Sequence, residues 1–268
     1  MNTSQKNSFI MRYGQWAVVT GASSGIGQAM AKELAQAGLN LVLVARRESE
    51  LARLAQDLSR EHGVQAHALA CDLAETNSAN RIIAETEHLE VGLLVAAAGF
   101  GTSGEFLQAN LDEEMAMLDV NCRAVLVLTL HYAQRFAKIG RGGIVLFGSL
   151  VGFQGTPHAA HYAATKAYVQ TLGEALHCEL APKGVDVLVS APGPVHSGFA
   201  ARARMVLSMA EKPETVARAT TRALGKKMTV TPGLVSKLLT WSLMTAPRSL
   251  RVGLMGKIMG NMTRNPAK

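Results

Sequence analysis

Short apolar runs alternate with segments of helical periodicity along most of the chain. Trp16–Thr20, Leu39–Ala45, Val64–Ala70, Leu93–Ala97, Gly143–Ser149 and Val185–Ser190 are near-continuous apolar runs of strand length. A strand covered on both faces reads this way, whereas a half-solvated strand alternates apolar and polar positions. Between the runs, residues 25–37, 48–62, 75–89, 111–138 and 160–181 carry the apolar spacing of amphipathic helices. Strands and helices in alternation predict right-handed crossovers and an α/β fold built on a doubly wound parallel sheet. Neither an internal repeat nor a Ser/Gly linker interrupts the pattern, so one domain is expected. The alternation stops near Pro232. The apolar, basic stretch that follows predicts two helices interrupted near Pro247, as an extension over residues 231–268.

Composition narrows the class. The 268 residues are 48% hydrophobic and 18% charged, enough to bury a sizeable core. With aromatics at 5% and 25 glycines, the chain suits close helix–strand packing better than a β-sandwich. Cys71, Cys122 and Cys178 form no C-x-x-C pair, so neither a disulfide framework nor a zinc site is expected, and a reducing, cytoplasmic setting is. His158 and His161 belong to no metal-binding motif, and no metal is expected. The N-terminus lacks an apolar stretch of signal-peptide length. The uncharged run Gly142–Thr165 is long enough to span a bilayer, but Gln154, Pro157 and the two histidines make it a strand, a loop and a helix start. The net charge of +7 is uneven: residues 201–268 hold 13 basic against 2 acidic residues. With few aromatics for base stacking, this excess does not form a nucleic-acid motif.

Three segments carry chemistry. The first strand runs into Gly21-Ala22-Ser23-Ser24-Gly25-Ile26-Gly27 and then a helix. Glycines allow a sharp turn and close approach to a pyrophosphate, whose charge the helix N-terminus favours. At the head of a strand–helix series this turn reads as the dinucleotide site of a Rossmann fold; alone it would be a structural turn. Arg46-Arg47 follow the second strand, where an acidic residue would suit the ribose 2′-hydroxyl of NAD. Guanidinium groups instead match a 2′-phosphate, which favours NADP(H) over the bland reading of a solvated helix start. Tyr162 and Lys166 are four apart on one helix face. An ammonium beside a phenol would lower the tyrosine pKa and make it a general acid/base; an exposed helical pair is the bland alternative. Ser149 ends the preceding strand, at the sheet edge where such folds bind ligands.

Taken in order, TGASSGIG, Asn121 in DVNCRA, Ser149 in IVLFGS, YAATK and Pro192-Gly193-Pro194-Val195 resemble the short-chain dehydrogenase/reductase family, in its single-domain branch, over about residues 14–230. The resemblance implies that Tyr162 donates a proton to a substrate carbonyl and that Ser149 hydrogen-bonds the same oxygen. Lys166 would hold the nicotinamide ribose and lower the Tyr162 pKa, and Asn121 would hold a water linking Lys166 to solvent. Asp72-Leu73 would lie by the adenine, and Ala98-Gly99 would border the cofactor. Pro192, Gly193 and Val195 would border the nicotinamide, with Ser197 near its carboxamide or the phosphates. The chain departs from the family at Ala96-Ala97-Ala98-Gly99, where Asn-Asn-Ala-Gly is frequent, and at Ser197, where Thr is frequent.

The implied function is an NADPH-dependent reductase of a ketone or aldehyde, reversible as an alcohol dehydrogenase. The C-terminal pattern resembles 3-ketoacyl and hydroxysteroid-type reductases and implies a lipophilic substrate. A sugar-nucleotide epimerase or dehydratase fits less well, since the chain has little room for a sugar-nucleotide domain. An NADPH-binding sensor or scaffold would need no proton donor. Helices 111–138 and 160–181 pair subunits in many relatives, which implies a homodimer or homotetramer. Residues 233–260 combine Leu234, Val235, Leu238, Leu239, Trp241, Leu243 and Met244 with Lys237, Arg248, Arg251 and Lys257 and contain no acid. Such a segment could pack on its own domain or a sister subunit, lie peripherally on an anionic membrane, or dock an acyl carrier.

Overall fold

The computed structural model describes residues 3–206, 210–233, 236–237, 245 and 247–263. Its centre is a seven-stranded parallel sheet: β1 (Trp16–Thr20), β2 (Asn40–Ala45), β3 (Ala66–Ala70), β4 (Val91–Ala96), β5 (Gly142–Phe147), β6 (Val185–Ser190) and β7 (Thr229–Val230). The strand order is β3-β2-β1-β4-β5-β6-β7, so the chain winds outward from β1 in one direction and then from β4 in the other. Val18 pairs with Val42 on one side and Leu94 on the other. All six predicted strands are present within two residues of their expected ends.

Helices cover both faces, which is why the inner strands lack a polar face. Along β1, Ala17 and Val19 join the core cluster with Leu34, Leu51, Leu54, Leu58 and Val216. These come from α2 (Gly25–Gln36), α3 (Glu48–His62) and α9 (Pro213–Ala223). Trp16 and Val18 join the opposite cluster with Ile82, Leu128, Tyr132, Phe136 and Val169. Those side chains come from α4 (Ser78–Thr86), α6 (Ala124–Ile139) and α7 (Ala160–Leu180). In α3, Leu51, Leu54, Ala55 and Leu58 make the buried stripe, Glu48 and Glu50 sit in the first turn, and Gly63 closes the helix in a left-handed conformation.

Several elements differ from expectation. The helix expected over 75–89 is confined to α4, Ser78–Thr86. The helix expected over 111–138 is two helices, α5 (Leu111–Leu118) and α6, joined by a π turn at Asp119–Arg123. One wider turn re-aims the side chains it contains, and such turns recur at functional sites. Among the helices and strands, four were not anticipated: α1 (Thr3–Tyr13), α8 (Phe199–Arg202), α9 and the two-residue β7. In α1 a mostly polar sequence hides three inward residues. Phe9 and Ile10 pack on the core, and Tyr13 is buried with its hydroxyl donating to Asp186 at 2.8 Å. Arg12 forks onto both oxygens of the same carboxylate. A side chain at Gly92 would collide with the Tyr13 carbonyl at 2.1 Å, so glycine lets α1 approach β4.

After β6 come a short helix, α8 (Phe199–Arg202), then α9 and β7. Of the two helices expected near the C-terminus, the second is α10 (Arg248–Thr263), which folds back with Met255 and Met259 buried. The first falls largely outside the described residues, as do Leu234, Val235, Leu238, Leu239, Trp241, Leu243 and Met244. No helix among the described residues is long and apolar enough to cross a membrane.

Candidate active site

The carboxyl ends of β1, β4, β5 and β6 lie along one edge of the parallel sheet, where doubly wound folds form their ligand-binding cleft. At its first edge the Gly21 backbone has φ +68°, and a side chain there would meet Ala98 Cα at 2.8 Å. At Gly27 a Cβ would lie 2.3 Å from the Gly21 carbonyl oxygen. Helix α2 starts directly behind this turn, and no side chain caps its first N–H groups. A turn without side-chain bulk and a helix N-terminus without its own acceptor fit a bound pyrophosphate. Ser23, Ser24 and Ile26 complete the turn.

The exits of β2 and β3 form the rim beside it. Arg47 donates to the Ser23 carbonyl and hydroxyl at 3.3 and 3.2 Å and pairs with Glu50 at 2.8 Å. Arg46 is 57% exposed and lies 3.9 Å from Asp72. The two arginines are therefore distinct: Arg47 braces the turn, and Arg46 has donors to spare for an anion. Asp72 also accepts from the Ala74 N–H at 3.1 Å, and Leu73 is buried.

The loop Ala97–Gly101 forms the cleft floor. It lacks the amide frequent in the family, yet it is pinned at both ends. The Ala98 N–H donates to Thr20 Oγ1 at 3.0 Å. Asn121 clips the other end: its Oδ1 accepts from the Phe100 N–H at 3.1 Å, and its Nδ2 donates to the Phe100 carbonyl at 2.8 Å and to Thr165 Oγ1 at 3.0 Å. Asn121 sits in the π turn and is buried. Its amide thus ties the floor to α7. Gly99 passes between this amide and Lys166, where a Cβ would sit 3.0 Å from Asn121 Oδ1 and 3.4 Å from Lys166 Nζ.

Tyr162, Lys166 and Ser149 come together as the sequence predicts. Ser149 ends the β5 segment in extended conformation; its hydroxyl accepts from the Val151 N–H at 3.4 Å and lies near enough to Tyr162 to act on its titration. The Lys166 ammonium donates to the Phe147 carbonyl at 2.8 Å and lies 5.9 Å from the Tyr162 ring centroid. The electrostatic expectation is corrected. Burial pushes the Tyr162 phenol above its ordinary range, and the neighbouring Ser149 hydroxyl opposes this. Lys166 does not reverse the shift, because burial pulls its own pKa down to about 8. Two groups removed from water each favour their neutral forms. Tyr162 is therefore a phenol that keeps its proton at neutral pH, the form a proton donor requires.

The last wall is the segment after β6. Pro192 accepts from the Leu150 N–H at 3.1 Å, which holds this segment beside Ser149. Gly193 has no room for a side chain, since Ser236 Oγ would lie 2.4 Å away. Val195 is buried, and Ser197 lies against Gly25 of the glycine-rich turn. Sequence reasoning missed Phe100, Thr165, Phe199 and Arg202. No motif contains the last two, and only a cluster of arginines in an otherwise apolar stretch, Phe199–Met205, could have drawn attention to them.

A glycine-rich strand–helix turn and a buried tyrosine–lysine pair at the same sheet edge define a class: doubly wound α/β oxidoreductases with one cleft for cofactor and substrate. The model of the family described as short chain dehydrogenase matches residues 15–207, and the chain belongs to that family. It is 32% identical over 259 residues to a 7beta-hydroxysteroid dehydrogenase of Clostridium sardiniense, covering 95% of this chain and 99% of that one. A 7beta-hydroxysteroid dehydrogenase structure, solved in work on its stereoselectivity, superposes with a TM-score of 0.86 at 27% identity, over 92% of this chain and 98% of the other. A short-chain dehydrogenase from Sphingobium yanoikuyae in complex with NADPH superposes with a TM-score of 0.79 at 32% identity, over 90% and 94% of the two chains.

Proposed function

We propose that this chain is an NADP(H)-dependent reductase of bulky lipophilic ketones or aldehydes, reversible as an alcohol dehydrogenase. The observation that carries the reading is the buried, neutral Tyr162 beside Ser149 and Lys166, in the same cleft as a glycine turn shaped for a dinucleotide. NADP(H), when bound, supplies or accepts the hydride.

The chain's own residues do the rest. Tyr162 donates its proton to the carbonyl oxygen as negative charge develops there. Ser149 donates a hydrogen bond to that oxygen and orients it. Lys166, anchored on the Phe147 carbonyl, holds the nicotinamide ribose. Asn121 acts by position, fixing the loop beneath Gly99 and Phe100 against α7. The turn 21–27 and Arg46 hold the phosphates, Asp72 and Leu73 flank the adenine, Ala98 and Gly99 form the floor, and Pro192, Gly193, Val195 and Ser197 shape the nicotinamide side.

The cleft wall supports a bulky apolar substrate. Phe199, Met205 and Met262 pack against the cluster that contains Tyr162 and Met259. The Val206 N–H donates to the Met262 carbonyl at 3.0 Å, joining the post-β6 segment to the end of α10. Methionines adapt their shape to irregular apolar ligands. The C. sardiniense relative, named for a hydroxysteroid, points the same way. Self-association through α6 is supported by Leu126 and Leu130, both exposed and four residues apart. Loss of NADPH absorbance across ketones graded from small aliphatic to polycyclic tests the reading. Turnover should rise with apolar bulk, and the absence of turnover with every carbonyl and alcohol refutes it.

A further inference from the structure

The segment after β6 lies across the cleft floor as a strap. Near its start, Ser197 Cβ would be 3.0 Å from a Cβ on Gly25. Next, Phe199 packs at a tilt against Tyr162 with ring centroids 5.2 Å apart, and a Cβ on Gly101 would lie 2.7 Å from its ring tip. One helical turn later, the Arg202 guanidinium carbon sits 3.8 Å from the Phe100 ring centroid. Residues three apart share a helix face, so α8 rests on the floor loop through Phe199 and Arg202 together. The Ala203 carbonyl fixes the end of the strap by accepting from the Ser103 hydroxyl at 2.5 Å.

Arg202 stacks on an aromatic ring, but among the described residues its donors have no hydrogen-bond acceptor and no carboxylate within 4 Å. The charged groups that face it are Arg46 at the β2 exit, Asp72 at the β3 exit and Glu113 on α5. Burial and Arg46 together outweigh the two acids and hold the Arg202 pKa below its ordinary value. Asp72 lies 3.9 Å from Arg46, too far for a close pair. Two guanidinium groups from different strand exits thus lie close enough to feel each other's charge, and their planar forks suit phosphate oxygens. Phe100 supplies the platform that orients one of them.

We propose that Arg202 is a phosphate clasp: the phosphate groups of the bound dinucleotide engage Arg202 together with Arg46, and this contact holds α8 down over the cleft. The clasp rests on the NADP(H) reading above. It makes cofactor binding and closure of the strap one event, since Phe199 on the same short helix covers Tyr162.

The test uses the full chain and its Arg202→Met, Arg202→Lys and Arg204→Met variants. Nicotinamide fluorescence gives the affinities for NADPH and NADH. Arg202→Met should weaken NADPH about 10- to 100-fold, the range for a charge-assisted contact, while Arg204→Met binds like wild type. Arg202→Lys keeps the charge without the fork and should fall between them. An equal loss for NADH places the contact on the pyrophosphate, and a loss confined to NADPH places it on the 2′-phosphate. Tryptic cleavage after Arg204 reports closure: saturating NADPH should slow it several-fold in wild type and not in Arg202→Met. Wild-type NADPH affinity in Arg202→Met overturns the clasp, and equal protection of the two proteins overturns its role in closure. A wild-type protein that binds neither nucleotide overturns the cofactor reading, and the clasp with it.

Discussion

Lys166→Met removes a buried charge while keeping most of the side chain's packing. Lys166 is 7% exposed, its ammonium donates to the Phe147 carbonyl at 2.8 Å, and burial draws its pKa from 10.5 to about 8. A folded-state pKa below the unfolded one means that the unfolded chain holds the proton more tightly. The native state is therefore penalised below about pH 8, and the penalty fades as pH rises from about 8 to about 10.5. At 1.36 kcal/mol per pH unit, the full penalty is about 3 kcal/mol. The methionine variant escapes it but strips the Phe147 carbonyl of its donor, which costs about 1–3 kcal/mol at every pH. The two effects nearly cancel at neutral pH, so one stability comparison decides nothing. The pH dependence does decide: between about pH 7 and about pH 9.5 the wild type should gain about 2 kcal/mol relative to Lys166→Met. Other titrating groups are common to both proteins and cancel in the difference to first order. Urea unfolding followed by tryptophan fluorescence at the two pH values measures it, with the m-value checked for constancy. Stabilities that run parallel with pH would show that Lys166 carries no burial penalty and would refute the account of its pKa. The expected result makes this lysine a place where the protein gives up stability to keep a reactive group.

Tyr162→Phe should lower NADPH-dependent turnover about 10²- to 10⁴-fold with NADPH affinity nearly unchanged, because only the proton donor is lost. Wild-type turnover in that variant would remove Tyr162 from the chemistry. Arg46→Ala should weaken NADPH about 10- to 100-fold and NADH little, since Arg46 has donors to spare while Arg47 is held by Ser23 and Glu50. Equal losses for the two nucleotides would mean that Arg46 does not read the 2′-phosphate. Arg12→Ala should lower stability by about 1 kcal/mol, because the lost pair with Asp186 is bidentate but half-exposed on the arginine side. An unchanged urea midpoint would show that Tyr13 alone anchors α1.

The sheet and the motif residues were legible in the sequence because their signals are local. A strand buried on both faces must be apolar throughout, as Val18, Val42 and Leu94 are, so periodicity locates it. The turn 21–27 and the Tyr162–Lys166 spacing state their chemistry within a few residues. Helix α1 was not legible: Phe9 and Ile10 gain their meaning only from the core they pack on, and Tyr13 only from Asp186, more than 170 positions away. The break at Asp119–Arg123 lies inside a strong helical pattern, and only the clip from Asn121 to Phe100 and Thr165 shows why the helix widens there. Spacing also misjudged the direction of the Tyr162 pKa. Sequence places an ammonium near a phenol, but how far both are removed from water is a property of the packed cleft, and there desolvation is the largest cause of both shifts. Arg202 follows the same logic. Its role depends on Phe100 and Arg46, which come from two other strand exits and meet it only when α8 crosses the floor of the cleft.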